Sequence, residues 1–244
     1  MALSTSSLAQ RTLSDIVNDD LRAAGVFERF GLDYCCHGRQ TLDEAARGRG
    51  IPAADVVRAL DALGATTADS EVPQEWDDLG VLTRHIVDRH HGYVRTTIPT
   101  VTAMLNKLVT RHGDRHPELA QVRLTFLQLA EELLTHLEKE EVLLFPYVTD
   151  VADAKRTGNP LPPGPFTTAL HPIRVMEADH TLAGELAEQL RRLTNGFVPP
   201  ADGCSTYQAC YAELARFEAD LHRHIHLENN ILFPRALELE RTIL

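Results

Sequence analysis

The chain has 244 residues, 43% hydrophobic and 24% charged, enough for one or two domains with a sizeable buried core. Its 24 Lys and Arg against 35 Asp and Glu leave a formal net charge of −11, which argues against a nucleic-acid backbone or an anionic membrane surface as partner. No run of about 18 apolar residues occurs, the N-terminal MALSTSSLAQRTLSD lacks the apolar core of a signal peptide, and four cysteines, two of them adjacent, point to a reducing cytoplasmic setting and not to a disulfide scaffold.

Residues 1–70 read as a small helical domain. Thr12 stands three residues before Asp15 and Thr41 three before Glu44, and each pair is a helix-start signal. Between them, residues 30–38 are too rich in glycine for a helix interior and read as a loop. A third short helix is predicted to begin after Pro52 and to turn Val56, Val57, Leu60 and Leu63 inward. The core of such a unit is thin, so it needs a neighbour or a second copy of the chain, a homodimer. Residues 64–76, small, polar and Pro-containing, read as a linker.

From residue 77 the period lengthens. Helical patterns run near 77–112, 117–149, 171–195 and 205–241, without strand alternation. The short connection at 112–117 makes its flanking helices antiparallel neighbours. Residues 157–166 and 195–200, rich in proline and glycine, must be loops, and Pro99 is expected to kink the first helix. The fold class is therefore all-α: an up-down-up-down four-helix bundle over 77–244, preceded by the small helical domain.

The bundle carries an internal repeat. His136 to Pro146 and His224 to Pro234 both read H-x3-E-x2-[LI]-L-F-P, 88 residues apart. One helix earlier in each half stand His91 and His180, 89 residues apart. Residues four apart on a helix are separated by about 40° around its axis, so each His-x3-Glu pair shares a face. Two such pairs and two single histidines place four imidazoles and two carboxylates at one level of the bundle. That donor set suits iron, and a carboxylate between two positions suits two irons. Six protein ligands cannot fill two octahedral shells; a bridging oxygen or open positions must complete them, and open positions allow small-molecule chemistry.

The inward stripe around His180 is Ile173, Met176, Ala183, Ala187 and Leu190, an apolar setting in which a histidine needs a partner. Around His91 the stripe is Val87, Val94 and Ile98. His90 shares a stripe with Ile86 and Tyr93 and stays a rival; His91 is preferred for its aliphatic stripe and its offset. A lone buried histidine is more often structural, and a lone H-x3-E pair is often a solvated one, but the repetition of both favours metal. Leu144, Phe145, Leu232 and Phe233 read as core packing, and Pro146 and Pro234 as the ends or bends of their helices. His37, His85, His112, His116, His171, His222 and His226 have no repeated counterpart and read mostly as surface or capping residues. Glu132, one turn before His136, is either a support for that histidine or an exposed acid.

These motifs resemble a known family. Residues 77–244 resemble the hemerythrin-like four-helix domain. Residues 12–45, with Asp33-Tyr-Cys-Cys-His-Gly-Arg-Gln-Thr-Leu42, look like the N-terminal domain of iron–sulfur cluster repair di-iron proteins (the RIC, or YtfE/ScdA, family). V-M-E-x-D-H at Val175–His180 and H-x-L-E-N-N-x-L-F-P from His226 are further specific pieces. The resemblance implies a non-haem centre of two iron ions joined by an oxo bridge. Its ligands are His91, His136, Glu140, His180, His224 and Glu228, with Glu140 and Glu228 bridging. It implies repair of iron–sulfur proteins damaged by nitric oxide or peroxide, through iron donation or nitric oxide chemistry. The partners are those damaged proteins and the small gases NO and O2. Residues 151–166 look longer and richer in proline than the family pattern.

Cys35 and Cys36 are the candidate reactive residues. Adjacent cysteines close a ring disulfide only with backbone strain, and His37 or Arg39 nearby favours a thiolate. Either the pair is buried and inert, or it serves redox or nitrosyl transfer near the metal, reached by movement of the small domain. Cys204 and Cys210 receive no role. Two other functions stand beside repair: a reversible O2- or NO-binding sensor, and a nitric oxide reductase using Cys35 and Cys36 as electron relay.

Overall fold

Side-chain caps set the first helices. The structure, a computed structural model, describes residues 5–64, 76 and 78–243. After α1 (Thr5–Ala9), the Thr12 hydroxyl accepts from the Asp15 amide and starts α2 (Leu13–Asp19). Then comes α3 (Ala23–Phe30), which has no side-chain cap and so left no signal in the sequence; it stops at Gly31, whose φ of 66° favours glycine. Thr41 and Glu44 form a reciprocal capping box at the head of α4 (Leu42–Gly48). Single backbone bonds from Leu13 to Gln40 and from Leu42 to Arg11 tie the two caps together. Helix α5 (Ala53–Gly64) buries Val56, Val57 and Leu60 as predicted, while Leu63 is only half-buried against the same cluster. The predicted linker lies outside the described residues apart from Gly64 and Trp76.

The long helical runs follow the predicted pattern with added detail. The first joins α6 (Leu79–His85), capped by Asp78, through a π-helical turn at Ile86–His91 to α7 (Gly92–His112). The second joins α8 (Glu118–Lys139) through a π turn at Glu140–Leu144 to α9 (Phe145–Thr157). The third is α10 (Leu170–Leu193), and the fourth joins α11 (Ser205–Leu227) through a π turn at Glu228–Leu232 to α12 (Phe233–Arg241). Helix α7 packs on α8 and α11, and α10 packs on the same two. Helix α7 continues through Pro99.

Pro146 and Pro234 do not end their helices. Each lies in the first turn of a new α-helical segment, after a π turn, where a missing N–H costs little. The second run accordingly reaches Thr157, past the predicted 149. The proline-rich segment then returns across this end: Phe166 packs edge-on against Tyr147, and Glu240 accepts from the Tyr147 hydroxyl, the Thr168 hydroxyl and the Ala169 amide.

Burial divides the interior in two. One apolar cluster joins the small domain to the bundle, with Leu13, Phe27, Tyr34 and Val57 in the same cluster as Leu186, Leu214 and Leu221. The neighbour that the thin N-terminal core requires is thus the chain's own bundle. The second cluster, with Leu82, Ile86, Leu144, Met176 and Phe233, fills the other end. Each of the six predicted ligands lies along its helix between members of the two clusters, as His180 does between Met176 and Ala183. Among the described residues, no helix is long and apolar enough to cross a membrane.

Candidate metal centre

The π turns fall on the candidate ligands. His91 closes the first, while Glu140 and Glu228 open the other two. The amides of Phe145 and Phe233 reach back five residues, to the carbonyls of Glu140 and Glu228. Such single π turns commonly mark functional positions, because the extra residue re-aims the side chains around it. The only sequence trace of the last two is the L-F-P after each pair.

The six predicted residues converge. His91 Nε2 and His224 Nε2 lie 3.1 Å apart, and His136 Nε2 and His180 Nε2 lie 3.0 Å apart. Glu140 Oε2 faces both pairs, 3.4 Å from His91 Nε2 and 3.3 Å from His136 Nε2. Glu228 divides its oxygens between them, with Oε1 2.9 Å from His224 Nε2 and Oε2 3.1 Å from His180 Nε2. Two four-residue donor sets result, His91/His224 and His136/His180, and both share Glu140 and Glu228. All six side chains are buried, both glutamates completely. His90 lies outside the cluster; its Nδ1 is 3.0 Å from Asp220, and its ring stacks on His224.

This arrangement is costly as bare protein. Both oxygens of Glu140, Oε2 of Glu228 and Nδ1 of His224 are buried without a hydrogen-bond partner, and an unmatched buried carboxylate oxygen is strongly destabilising. Burial opposes charge on every group here. The attraction of His224 and His180 nevertheless holds Glu228 well below the usual carboxylate range, and His136 and His91 hold Glu140 below it despite repulsion from Glu228. Against the same burial, Glu140 and Glu228 push His91 up to about 10 and His136 up to about 9, while burial outweighs Glu228 at His224 and lowers it. Two carboxylates therefore hold two imidazolium protons in the metal-free chain. The donors fit a pair of metal ions: imidazole nitrogens bound at about 2.1 Å and at right angles lie about 3.0 Å apart, which is the spacing found.

The outer face of three imidazoles is supported. His91 Nδ1 lies 2.6 Å from Glu141 Oε1, which also accepts from Arg95. His136 Nδ1 lies 3.4 Å from Asp179 Oδ2, which accepts from Lys139. His180 Nδ1 lies 2.8 Å from Asn229 Oδ1. Such partners fix the tautomer and aim the other nitrogen inward. Sequence reasoning missed all three, although each is adjacent in sequence to a candidate ligand: Glu141 to Glu140, Asp179 to His180, Asn229 to Glu228. Glu132, the suspected support, is exposed. Phe145 and Phe233, read as core packing, stack on the rings of His91 and His180, with planes 21° and 4° apart.

His226 is buried and not a surface residue; its ring meets Asn18 Oδ1 at 3.0 Å and the Tyr34 carbonyl at 3.5 Å. It belongs to the seam between α11 and the loop carrying Cys35 and Cys36. In that seam Asn230 donates to the Cys35 carbonyl at 3.0 Å, and a Cβ on Gly38 would come within 2.8 Å of Asn230. Both cysteines are free, with Sγ atoms 3.7 Å apart. Cys36 Sγ lies 3.8 Å from the His180 carbonyl oxygen, so no domain movement is needed to bring the pair beside the cluster. The expected thiolate is not favoured at Cys35. The hydrogen bond with Cys36, burial and the Asp33 carboxylate push that thiol well up, and His37 pairs with Asp33 instead.

Comparison with known proteins agrees with both halves of the chain. Residues 82–236 match the hemerythrin HHE cation binding domain, and residues 9–64 match ScdA_N, a domain of unknown function (DUF542). The chain is 35% identical to the iron-sulfur cluster repair protein YtfE of Enterobacter sp. (strain 638) over 227 residues, 92% of this chain and 96% of that protein. It is 35% identical to a probable iron-sulfur cluster repair protein of Haemophilus influenzae over 233 residues, 95% of this chain and 98% of the other. With YtfE of Escherichia coli O8 it shares 35% identity over 219 residues, 88% and 91% of the two chains.

Proposed function

Because the chain belongs to the family of iron–sulfur cluster repair proteins with a hemerythrin HHE domain, we propose that it holds two iron ions and uses them to restore iron–sulfur clusters damaged by nitrosative or oxidative stress. In this reading residues 77–244 are the metal-holding bundle and residues 1–70 the cysteine-bearing domain. His91 and His224 would hold one ion, His136 and His180 the other, and Glu140 and Glu228, common to both donor sets, would serve the two together. The single observation that carries the reading is the pair of buried donor sets sharing two carboxylates, three of whose four oxygens lack a hydrogen-bond partner.

The bound pair supplies exchangeable iron and redox chemistry toward small molecules such as nitric oxide. The rest is done by the chain. Glu141, Asp179 and Asn229 keep three imidazoles aimed inward, the aromatic rings of Phe145 and Phe233 exclude water, and the cluster takes protons on His91 and His136 when it gives up cationic charge. Cys35 and Cys36 take a redox role beside the His136/His180 position. The contact of Cys36 Sγ with the His180 carbonyl also supports nitric oxide reduction with the thiols as relay, and the presence of the cysteine-bearing domain argues against simple reversible gas binding.

The test is repair itself. Protein loaded with ferrous iron under anaerobic conditions is mixed with a hydratase whose exposed four-iron cluster has been destroyed by nitric oxide. Recovery of hydratase activity in step with iron lost from the loaded chain is expected, with none from a His180→Ala/Glu228→Ala chain. Equal recovery from free ferrous iron at the same concentration contradicts the reading, and steady consumption of nitric oxide with an electron donor and no recovery favours the reductase.

A further inference from the structure

The loop at residues 31–41 brings three donor atoms together outside the His/Glu cluster. Cys35 Sγ and Cys36 Sγ are 3.7 Å apart, Asp33 Oδ1 is 3.2 Å from Cys35 Sγ, and one donor from each of the three lies within 4.8 Å of the others. Two thiolates on a tetrahedral ion at about 2.3 Å stand about 3.8 Å apart. A disulfide, by contrast, requires the sulfurs to close to about 2.0 Å with a narrow dihedral. The pair as it stands is thus spaced for a shared ion, and closing it to a disulfide needs the sulfurs to approach by about 1.7 Å.

The loop is also held in place before any ion arrives. Asp33 Oδ1 accepts from the amides of Cys35 and Cys36 at 3.1 and 2.9 Å. Asn229 and Asn230, which follow Glu228, donate to the Cys35 carbonyl at 3.4 and 3.0 Å. The helix beyond His180 packs directly on the loop: a Cβ at Gly184 would meet Cys36 Sγ at 3.7 Å, an ordinary van der Waals contact. Fixing the donors from both sides lowers the ordering cost of capturing an ion.

We propose that Asp33, Cys35 and Cys36 form a separate thiolate site for one divalent transition-metal ion, iron(II) or zinc, beside the His136/His180 position. Thiolate and carboxylate donors select this borderline class over magnesium or calcium. Binding exchanges the two thiol protons for the ion: the S–H bonds of Cys35 and Cys36 break, two protons leave to solvent and two S–metal bonds form, with no change in oxidation state. Because Cys36 Sγ touches the backbone of His180, the site is a station between the buried centre and the outside; this role, unlike the site itself, rests on the function proposed above.

Cobalt(II) is the probe. The full, metal-free chain carrying Cys204→Ser, which removes the exposed thiol, is titrated anaerobically and followed by absorption. An intense thiolate-to-cobalt band in the near ultraviolet is expected, its final intensity that of one thiolate-bound ion per chain, reached with one equivalent in the Glu140→Ala/Glu228→Ala background and with up to three where the His/Glu centre also fills. It should vanish in the further Cys35→Ser/Cys36→Ser variant and weaken about tenfold in apparent affinity in Asp33→Asn. Absence of the band, or its survival in the double serine variant, overturns the site. A Glu140→Ala/Glu228→Ala chain should keep the band, so failure of the His/Glu reading is distinguished from failure of this one. Loss of metal from the His/Glu centre to an external chelator should be several-fold slower in the double serine variant; equal rates overturn the station.

Discussion

The amide oxygen of Asn229 lies 2.8 Å from Nδ1 of His180, whose Nε2 faces His136. The same amide donates to the carbonyl of Cys35. One side chain therefore connects a candidate ligand on α10, the π turn after Glu228 and the cysteine loop. Removing it in Asn229→Ala frees the ring of His180 and should cost 10- to 100-fold in metal affinity at one of two positions. Asn229→Asp, which keeps the acceptor, should restore most of it. Chelator competition on the metal-loaded chains reads both, and a uniform loss at both positions contradicts the assignment.

The metal-free cluster stores protons. With His91 pushed up to about 10 and His136 up to about 9 by the two glutamates against the cost of burial, both stay charged at pH 7. Loading should release about two protons per chain, measured by calorimetry in buffers of different ionisation enthalpy. The sign for stability follows from the raised values. The contribution of these histidines to the metal-free fold is full below the unfolded value near 6.5 and is lost as pH rises through 9 to 10. The melting midpoint of the metal-free chain should fall across that window, and that of the loaded chain should not. Parallel curves for the two contradict the proton account.

His226 works in the opposite direction. Burial, only partly offset by the Tyr34 carbonyl, lowers it to about 4. Between about 6.5 and 4 the unfolded chain takes up a proton that the folded chain refuses, so stability falls as pH falls through this range. In His226→Gln, which keeps a polar group against Asn18, the acid slope should flatten over that interval. An unchanged slope removes His226 as its source.

Phe233 and Phe145 stack on the rings of the candidate ligands His180 and His91 in matching places of the two repeats. Deleting either ring to alanine should cost about 3–5 kcal/mol in unfolding free energy, while leucine should recover much of that. If both variants unfold like the parent chain in urea, these rings do not hold the site.

The convergence of the six candidate residues was legible because the helix period turns a repeated His-x3-Glu into one facing set, and because His91 and His180 keep nearly the same offset as the two pairs. The cap pairs Thr12/Asp15 and Thr41/Glu44 were legible for a local reason: both hydrogen bonds close within four residues. The π turns were not, because their trace is a proline placed after the ligands, which reads equally as a helix end. Asp179 and Asn229 were hidden since their partners, His136 and His180, lie 43 and 49 residues away. Burial of His226 and the raised thiol of Cys35 depend on how the small domain sits on α11 and α10, which no local pattern records.

The central claim is that one chain holds two metal ions through six side chains. It is tested most directly by anaerobic titration of metal-free Cys35→Ser/Cys36→Ser protein with ferrous iron, counting tightly bound metal after gel filtration. Two equivalents per chain are expected, about one in Asn229→Ala at limiting chelator, and none in Glu140→Ala/Glu228→Ala. A chain that retains one ion or none, or that keeps two without the glutamates, contradicts the account.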